Sequence, residues 1–502
     1  MATYEPALEE FMARAQSGNL VPVYREVVAD LDTPVSAYMK LRAMGDANSF
    51  LLESVEGGEN IARYSYLATG PAKVLCSKGR TVTLADEQGS HSYELPEGQD
   101  PLHAIQEMLG QYTFVSPPGW RRFPGGAVGY LGYDMVRFFE DLPKTNPDDL
   151  ELPDCQFMLA ETLVIFDHVL HRARIVANAH ITEDPQQAYW DAIRRIEALA
   201  EALRGPLPAP QPAPAGTGRI PDEPSAMKST MTRAQHKAAV LKAKEYIGAG
   251  DIIQVVPSHR MQADVNVDPF DLYRALRAIN PSPYMFYLAF GDLKIIGASP
   301  EILVTEDQGK VATRPIAGTR RRGKTPEEDK QLEEDLLGDE KERAEHIMLV
   351  DLHRNDIGRV CRPGSVQVDE LMVVERYSHV MHIVSNVTGE LAEDKDQFDL
   401  LRATFPAGTL TGAPKIRAME IIEELEPVRR GPYGGAVGYF GFSGSMDTCI
   451  TLRTIVMKGN TCYFQAGGGI VADSDPDAEY METIHKATAL LEAVKLAESG
   501  LL

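Results

Sequence analysis

The chain has 502 residues, 44% apolar and 25% charged, the balance of an ordinary folded protein too long for one core, so two domains are expected. A net charge of −23 argues against nucleic acid or an anionic membrane as partner, while leaving room for a small anionic substrate held by local cations. The five cysteines (Cys76, Cys155, Cys361, Cys449, Cys462) form no C-x-x-C pair, so neither a disulfide framework nor a zinc site is indicated. No apolar run is long enough to span a membrane, and Met1-Ala-Thr-Tyr-Glu-Pro6 lacks the basic-then-apolar pattern of a leader, which makes the cytoplasm the expected location.

The N-terminal part reads as β-rich, with the runs Ser49–Glu53, Lys73–Cys76 and Thr162–Phe166 split by turn residues. Pro185–Leu203 follows as a helix, with Ala192, Ile193, Ile196, Leu199 and Leu203 at helical spacing. Then comes Gly205-Pro-Leu-Pro-Ala-Pro-Gln-Pro-Ala-Pro-Ala-Gly-Thr-Gly218, whose alternating prolines make a stiff, exposed connection. It divides an N-terminal domain (1–204) from a C-terminal one (226–502), with 205–225 as linker. Beyond it, Thr232 caps a helix that Gly248 should stop. Strand-like runs (Leu293–Gly297, Met372–Glu375, Thr448–Val456, Cys462–Gln465) then alternate with helical ones (Glu327–Val350, Lys415–Glu424, Ala478–Ala497). The class is therefore α/β, more specifically α+β. One echo, GGAVGY in Pro124–Gly132 and again in Tyr433–Gly441, means either duplicated halves or two edge strands meeting at the domain interface.

Gly318-Thr-Arg-Arg-Arg-Gly-Lys-Thr325 satisfies the P-loop pattern but fails its context. Three arginines fill the loop, and Pro326 at the first helical position with Thr325-x-x-Glu328 reads as a capping box, so a basic helix-capping loop is the reading.

Two acidic motifs are more informative. Glu342-Arg-Ala-Glu345 and Glu479-Tyr-Met-Glu482 each place two carboxylates on one helix face, where they repel unless a cation sits between them. Four carboxylates with no cysteine nearby suit a hard cation, Mg²⁺ before Zn²⁺. Either motif alone would be an ordinary solvated helix face.

They are not alone. Arg314-Pro-Ile-Ala-Gly-Thr319, Asp351-Leu-His-Arg-Asn-Asp-Ile-Gly358, Pro406-Ala-Gly-Thr-Leu-Thr-Gly-Ala-Pro-Lys415 and Ala466-Gly-Gly-Gly-Ile-Val471 lie in the same half. Together these motifs resemble the chorismate-utilising enzymes, most closely the large subunits of anthranilate synthases, over roughly residues 20 to 490. The resemblance implies large antiparallel β-sheets packed as a sandwich with helices outside, and Mg²⁺ held mainly by Glu345 and Glu482, with Glu342 and Glu479 joining directly or through water. It implies chorismate contacts from Gly318, Thr319, Tyr433, Arg453, Gly467, Gly468, Gly469 and Lys486. Arg453 would be an inward charge on a strand, gripping a carboxylate. Glu301 would lie next to the departing hydroxyl, Thr409 would touch substrate, and His382, not the nearby His379, would assist loss of pyruvate. Ala317 stands where aminodeoxychorismate synthases place a nucleophilic lysine, and Gln254 where water-using relatives place a basic lysine, so ammonia is the implied nucleophile.

The resemblance further implies feedback by tryptophan at Glu53 and Ser54 together with Pro283, Tyr284 and Met285. The carboxylate would take the amino group of the amino acid, and the two segments must then meet across the linker. No glutaminase signature accompanies these motifs, so a separate glutamine amidotransferase subunit is implied as ammonia source, in a hetero-oligomer. Two other readings stay open: a sister activity (aminodeoxychorismate or aminodeoxyisochorismate synthase), and a non-catalytic tryptophan-binding regulator.

Overall fold

The computed structural model describes residues 3–55, 63–117, 119–120, 123–209, 221–377 and 380–501. Two large antiparallel sheets face each other. The first, of 11 strands, runs from Leu20–Val28 through Asn48–Glu53, Tyr284–Phe290 and Thr454–Lys458 to Lys228–Ser229; the second, of 12 strands, runs from Ile316–Arg321 through Met446–Ile450, Ala436–Gly441 and Gly126–Leu131 to Gly89–Glu94. Phe50, Leu288 and Ile295 of the first sheet pack between the layers against Val128, Tyr130 and Val437 of the second. Their neighbours in sequence point the other way, as the period of two requires. Leu51, Tyr287 and Ile296 face Tyr189, Ile196 and Leu490 of outer helices, and Ala127 and Ala436 face Ile105, Leu401 and Met419. The sandwich with helices outside is thus the observed architecture. Among the described residues no helix is long and apolar enough to cross a membrane.

Both sheets draw strands from either side of the proline-rich connection. Asn48–Glu53 pairs with Tyr284–Phe290, and Gly126–Leu131 with Ala436–Gly441. The GGAVGY echo is therefore two strands pairing directly, Gly129 opposite Gly438, in the sheet interior rather than at an edge.

Three local expectations are corrected. Gly248 lies inside the helix Arg233–Ala249, which ends instead at Gly250 in the left-handed conformation, φ 85°. Glu327–Val350 is two helices, Pro326–Gly338 and Glu340–Gly358, because Asp339 leaves the helical conformation and caps the second through the N–H groups of Lys341 and Glu342. Thr448–Val456 is not one strand: Met446–Ile450 belongs to the second sheet and Thr454–Lys458 to the first, and the chain crosses between them at residues 451–453. The P-loop-like segment behaves as a basic cap. Thr325 accepts from Glu328 N (3.2 Å), and Arg320, Arg321 and Arg322 pair with Asp335, Glu328 and Asp329.

Gly438 has no room for a side chain, since a Cβ there would collide with the Asp447 carbonyl oxygen of the adjoining strand. Gly438→Ala is expected to cost about 1–3 kcal/mol, as overpacking does, read as a lower urea midpoint with unchanged slope.

Candidate active site

Helix Glu340–Gly358 presents Glu342 and Glu345, and helix Pro476–Ser499 presents Glu479 and Glu482. Burial pushes the Glu345 carboxyl above its ordinary range, with the charges of Glu342 and Glu482 adding to the shift. Glu479 is raised by burial and by Glu482, so the two faces share one electrostatic environment. Gln254 Nε2 donates to Glu345 (3.1 Å), and Lys486 Nζ lies 2.7 Å from Glu482 and donates to Gly467 O (2.8 Å). Arg320 reaches Glu342 at 3.2 Å.

Gly468 brings bare backbone against the acidic pair, where a Cβ would stand 3.0 Å from Glu479 Oε2 and 3.7 Å from Glu482 Oε1. Gly469 packs against Gln254 in the same way, and the Tyr433 hydroxyl sits beside Gly467. Among the described residues no three His, Cys, Asp or Glu side chains already close around one point. The donor set still fits Mg²⁺: it is all carboxylate oxygen, its members repel one another, and the buried Glu479 Oε2 has no partner.

Glu301 is buried and accepts from Thr409 Oγ1 at 2.6 Å. Burial pushes its carboxyl up to about 7, against the Thr409 hydrogen bond and the Arg453 charge. Because Thr409 donates to Oε1, the carboxyl proton belongs on Oε2. His382 Nδ1 stands 2.9 Å from Gly318 O, which only accepts, so Nδ1 carries the hydrogen and Nε2 keeps its lone pair. Burial lowers the His382 pKa and favours this neutral form. Gly318 forms a bulge in its strand at φ 66°, and that bulge aims its carbonyl; Thr319 Oγ1 is 3.1 Å from the same nitrogen. His379 lies outside the described residues.

Arg453 corrects the strand expectation. It sits in the crossing between the sheets with φ 48°, and its guanidinium has no hydrogen-bond or ion-pair partner among the described residues. Burial lowers its pKa, the mark of a cation short of an anion. A cavity of about 410 Å³ joins His382, Arg453, Glu482 and Lys486, with Tyr377 and Pro283 in its wall. The Tyr377 ring meets His382 edge-on, centroids 5.6 Å apart, a contact the sequence did not signal.

A second cavity, about 400 Å³, opens between the sheets and is lined by Ser54, Pro283, Tyr284, Met285, Tyr439 and Asp447. Glu53 stands opposite Met285 in the ladder, so the two segments do meet. The Glu53 carboxylate, however, is already engaged by Tyr273 OH and by Arg277 Nε at 3.0 Å on the helix side of its sheet. The carboxylates that sequence reading missed are Asp447, which accepts from Tyr284 OH (2.9 Å) and is pushed by burial up to about 6, and Glu306, whose buried Oε2 has no partner. Their only signal was an acid at an inward position of a short strand.

The Glu301 carboxyl is easier to protonate folded than unfolded, so its contribution to stability is complete at low pH and is lost as pH rises through about 7. Wild type should lose urea resistance between about pH 4.5 and 7 more steeply than Glu301→Gln, and no more steeply above that range. Equal slopes would mean that Glu301 ionises normally.

A profile of the chorismate binding enzyme family matches residues 48–492. The anthranilate synthase component 1 of Acetivibrio thermocellus is 48% identical over 495 residues, 98% of this chain and 99% of the relative. The crystal structure of anthranilate synthase component I from Streptococcus pneumoniae superposes with a TM-score of 0.76 at 38% identity, covering 93% of this chain and 98% of that one. The menaquinone-specific isochorismate synthase of Escherichia coli shares the fold, with TM-score 0.68 at 20% identity over 97% of this chain and 99% of the other. The chain belongs to the chorismate binding enzyme family, among relatives that are component 1 chains of anthranilate synthase.

Proposed function

We propose that the chain converts chorismate and ammonia to anthranilate and pyruvate, the first step towards tryptophan, in the cytoplasm. The observation that carries this reading is the pairing of an acid that burial keeps ready to hold a proton, Glu301, with a neutral base, His382, both within the field of the Arg453 guanidinium. Arg453 receives a substrate carboxylate, and the Gly467–Gly469 backbone, held by Tyr433, Lys486 and Pro257, leaves the Gly469 N–H to join it. Glu345 and Glu482, joined by Glu342 and Glu479, would hold Mg²⁺, which when bound supplies positive charge to the ring carboxylate. Glu301 gives its Oε2 proton to the departing ring hydroxyl while Thr409 keeps Oε1 in place. His382 Nε2 then takes the ring proton whose removal expels pyruvate and leaves the aromatic ring.

Ammonia as nucleophile is supported by Ala317, which offers no amine, and by Gln254, whose amide is spent on Glu345. The component 1 names of the relatives support a separate glutaminase subunit as its source. A sister activity that retains pyruvate is disfavoured by the free Nε2 of His382, and a non-catalytic regulator by the assembled acid and base.

Tryptophan is the proposed occupant of the inter-sheet cavity. The buried, partnerless Ser54 Oγ and Glu306 Oε2 offer polar contacts, and Met285 and Tyr439 offer apolar wall. Pro283 lines both cavities, so an occupant of one acts on the wall of the other.

Purified chain given chorismate, Mg²⁺ and an ammonium salt should form anthranilate, identified by fluorescence and mass. Glu482→Gln should cut the rate by about 100-fold or more while remaining folded, in line with loss of a metal ligand. Salicylate or isochorismate as main product, or full activity in EDTA, overturns the assignment.

Calorimetry should show tryptophan and a chorismate analogue weakening each other's binding by one common factor. Ser54→Phe, which fills the cavity, should abolish the tryptophan signal. Unchanged tryptophan binding in that variant would place the amino acid elsewhere.

A further inference from the structure

The helix Pro476–Ser499 carries Glu479, Glu482 and Lys486 on one side, and on its buried side it meets two histidines that the reaction does not use. His259, on the strand Ser258–Asp264, contacts Thr483 Oγ1 through Nε2 at 2.8 Å and Ser229 Oγ through Nδ1 at 2.8 Å. The protons of this chain can be assigned by counting. Thr483 has one hydroxyl hydrogen and directs it at Tyr480 O (2.7 Å), so towards His259 it can only accept, and Nε2 carries the hydrogen. Nδ1 of the neutral ring then accepts from Ser229, whose oxygen in turn accepts from Met231 N (3.3 Å). His236 packs edge-on against His259 at 5.3 Å and against Tyr480 at 5.6 Å, both of its ring nitrogens buried without partners. Tyr480 stacks on His259 at 5.9 Å. The result is a buried aromatic cluster with one polar contact to the helix, aimed at the turn Tyr480–Thr483 that carries Glu482 and follows Glu479.

We infer that His259 is a positioning residue: its Nε2–H bond to Thr483 sets the axial rotation of the last helix, and thereby holds Glu479 and Glu482 beside Gly468 for the cation. No other polar side chain from strand Ser258–Asp264 reaches that turn among the described residues, so the contact has no substitute. Burial keeps the ring neutral, its pKa down at about 4, which preserves the donor–acceptor order at working pH.

This inference rests on the metal reading above, and two isosteric variants separate it from general stability. His259→Gln keeps a donor near the Nε2 position and loses the Ser229 contact; His259→Asn keeps the Ser229 contact and loses Thr483. Mn²⁺ serves as probe, its free-ion resonance giving a dissociation constant without turnover. The expected result is a dissociation constant within about twofold of wild type for His259→Gln, and about tenfold higher for His259→Asn, the low end for outer-shell changes. Thr483→Val, which keeps the shape and removes the hydroxyl, should match His259→Asn. Melting temperatures of the folded variants are measured beside these. Mn²⁺ affinities that merely track melting temperature, or that stay at the wild-type value in both His259→Asn and Thr483→Val, overturn the inference alone. Absence of Mn²⁺ binding by wild type overturns the metal reading and this inference together.

Discussion

Two strand pairs that reach across the proline-rich connection hold the rest in place: Asn48–Glu53 against Tyr284–Phe290, and Gly126–Leu131 against Ala436–Gly441. Register is the constraint. Sliding either pair by one residue would exchange the inter-sheet residues Phe50 and Leu288 for Leu51 and Tyr287, and would turn apolar side chains away from both cores. The same pairing sets the two cavities. The inter-sheet cavity lies along the first seam, and the start of Tyr284–Phe290 continues into Pro283, which also walls the catalytic cavity. The two cavities share a wall, since one strand and the turn before it belong to both.

Beneath the site, charge is handled in the opposite way from within it. Arg430 and Glu426 are buried, and every contact they make is satisfied. The guanidinium lies 3.0 Å from Glu426 and donates to Leu410 O and Val256 O at 2.7 Å, while Glu426 accepts from Ser258 N at 2.8 Å. A buried ion pair costs desolvation, and it persists where geometry and extra hydrogen bonds offset that cost. Here the offset ties three segments together: the turn holding Thr409, the stretch after Gln254, and the strand that faces Gly467. The Arg453 guanidinium and the Glu479 Oε2 atom have no such satisfaction among the described residues. A paired buried charge fixes backbone, whereas the Arg453 guanidinium stays unspent in the wall of the cavity.

Much of this was legible in the sequence because the signals were local. Thr232 and Thr325 begin helices where their capping patterns say, and the proline-rich stretch separates the helices Pro185–Arg204 and Arg233–Ala249. The acidic pairs lie on helix faces because i and i+3 leave no alternative. What escaped depends on partners distant in sequence. Thr448–Val456 looks like one strand because both of its halves are apolar, and nothing local says that they enter different sheets. Glu53 lines the inter-sheet cavity, but its carboxylate is held by Tyr273 and Arg277 of a helix, and parity along a strand, which sets only alternation, does not say which face is which. Asp447 looked like a stray acid until Tyr284 and burial gave it a setting.

The acid and the base of the proposed reaction owe their states to one cause. Burial disfavours charge whatever its sign, so it raises Glu301, which can then hold a proton up to about pH 7, while it lowers His382 and favours its neutral form. Exposure to water would return both groups towards their ordinary values, leaving a carboxylate with no proton to give and a histidine with a weaker claim to its lone pair. The burial that readies them has a counterpart in the choice of nucleophile. Water would need a base to activate it, and the position that could supply one holds Gln254, which donates to Glu345 instead. Ammonia carries its own lone pair and needs no such help, so a site with a stored proton, a stored lone pair and no base at Gln254 favours amination over hydration.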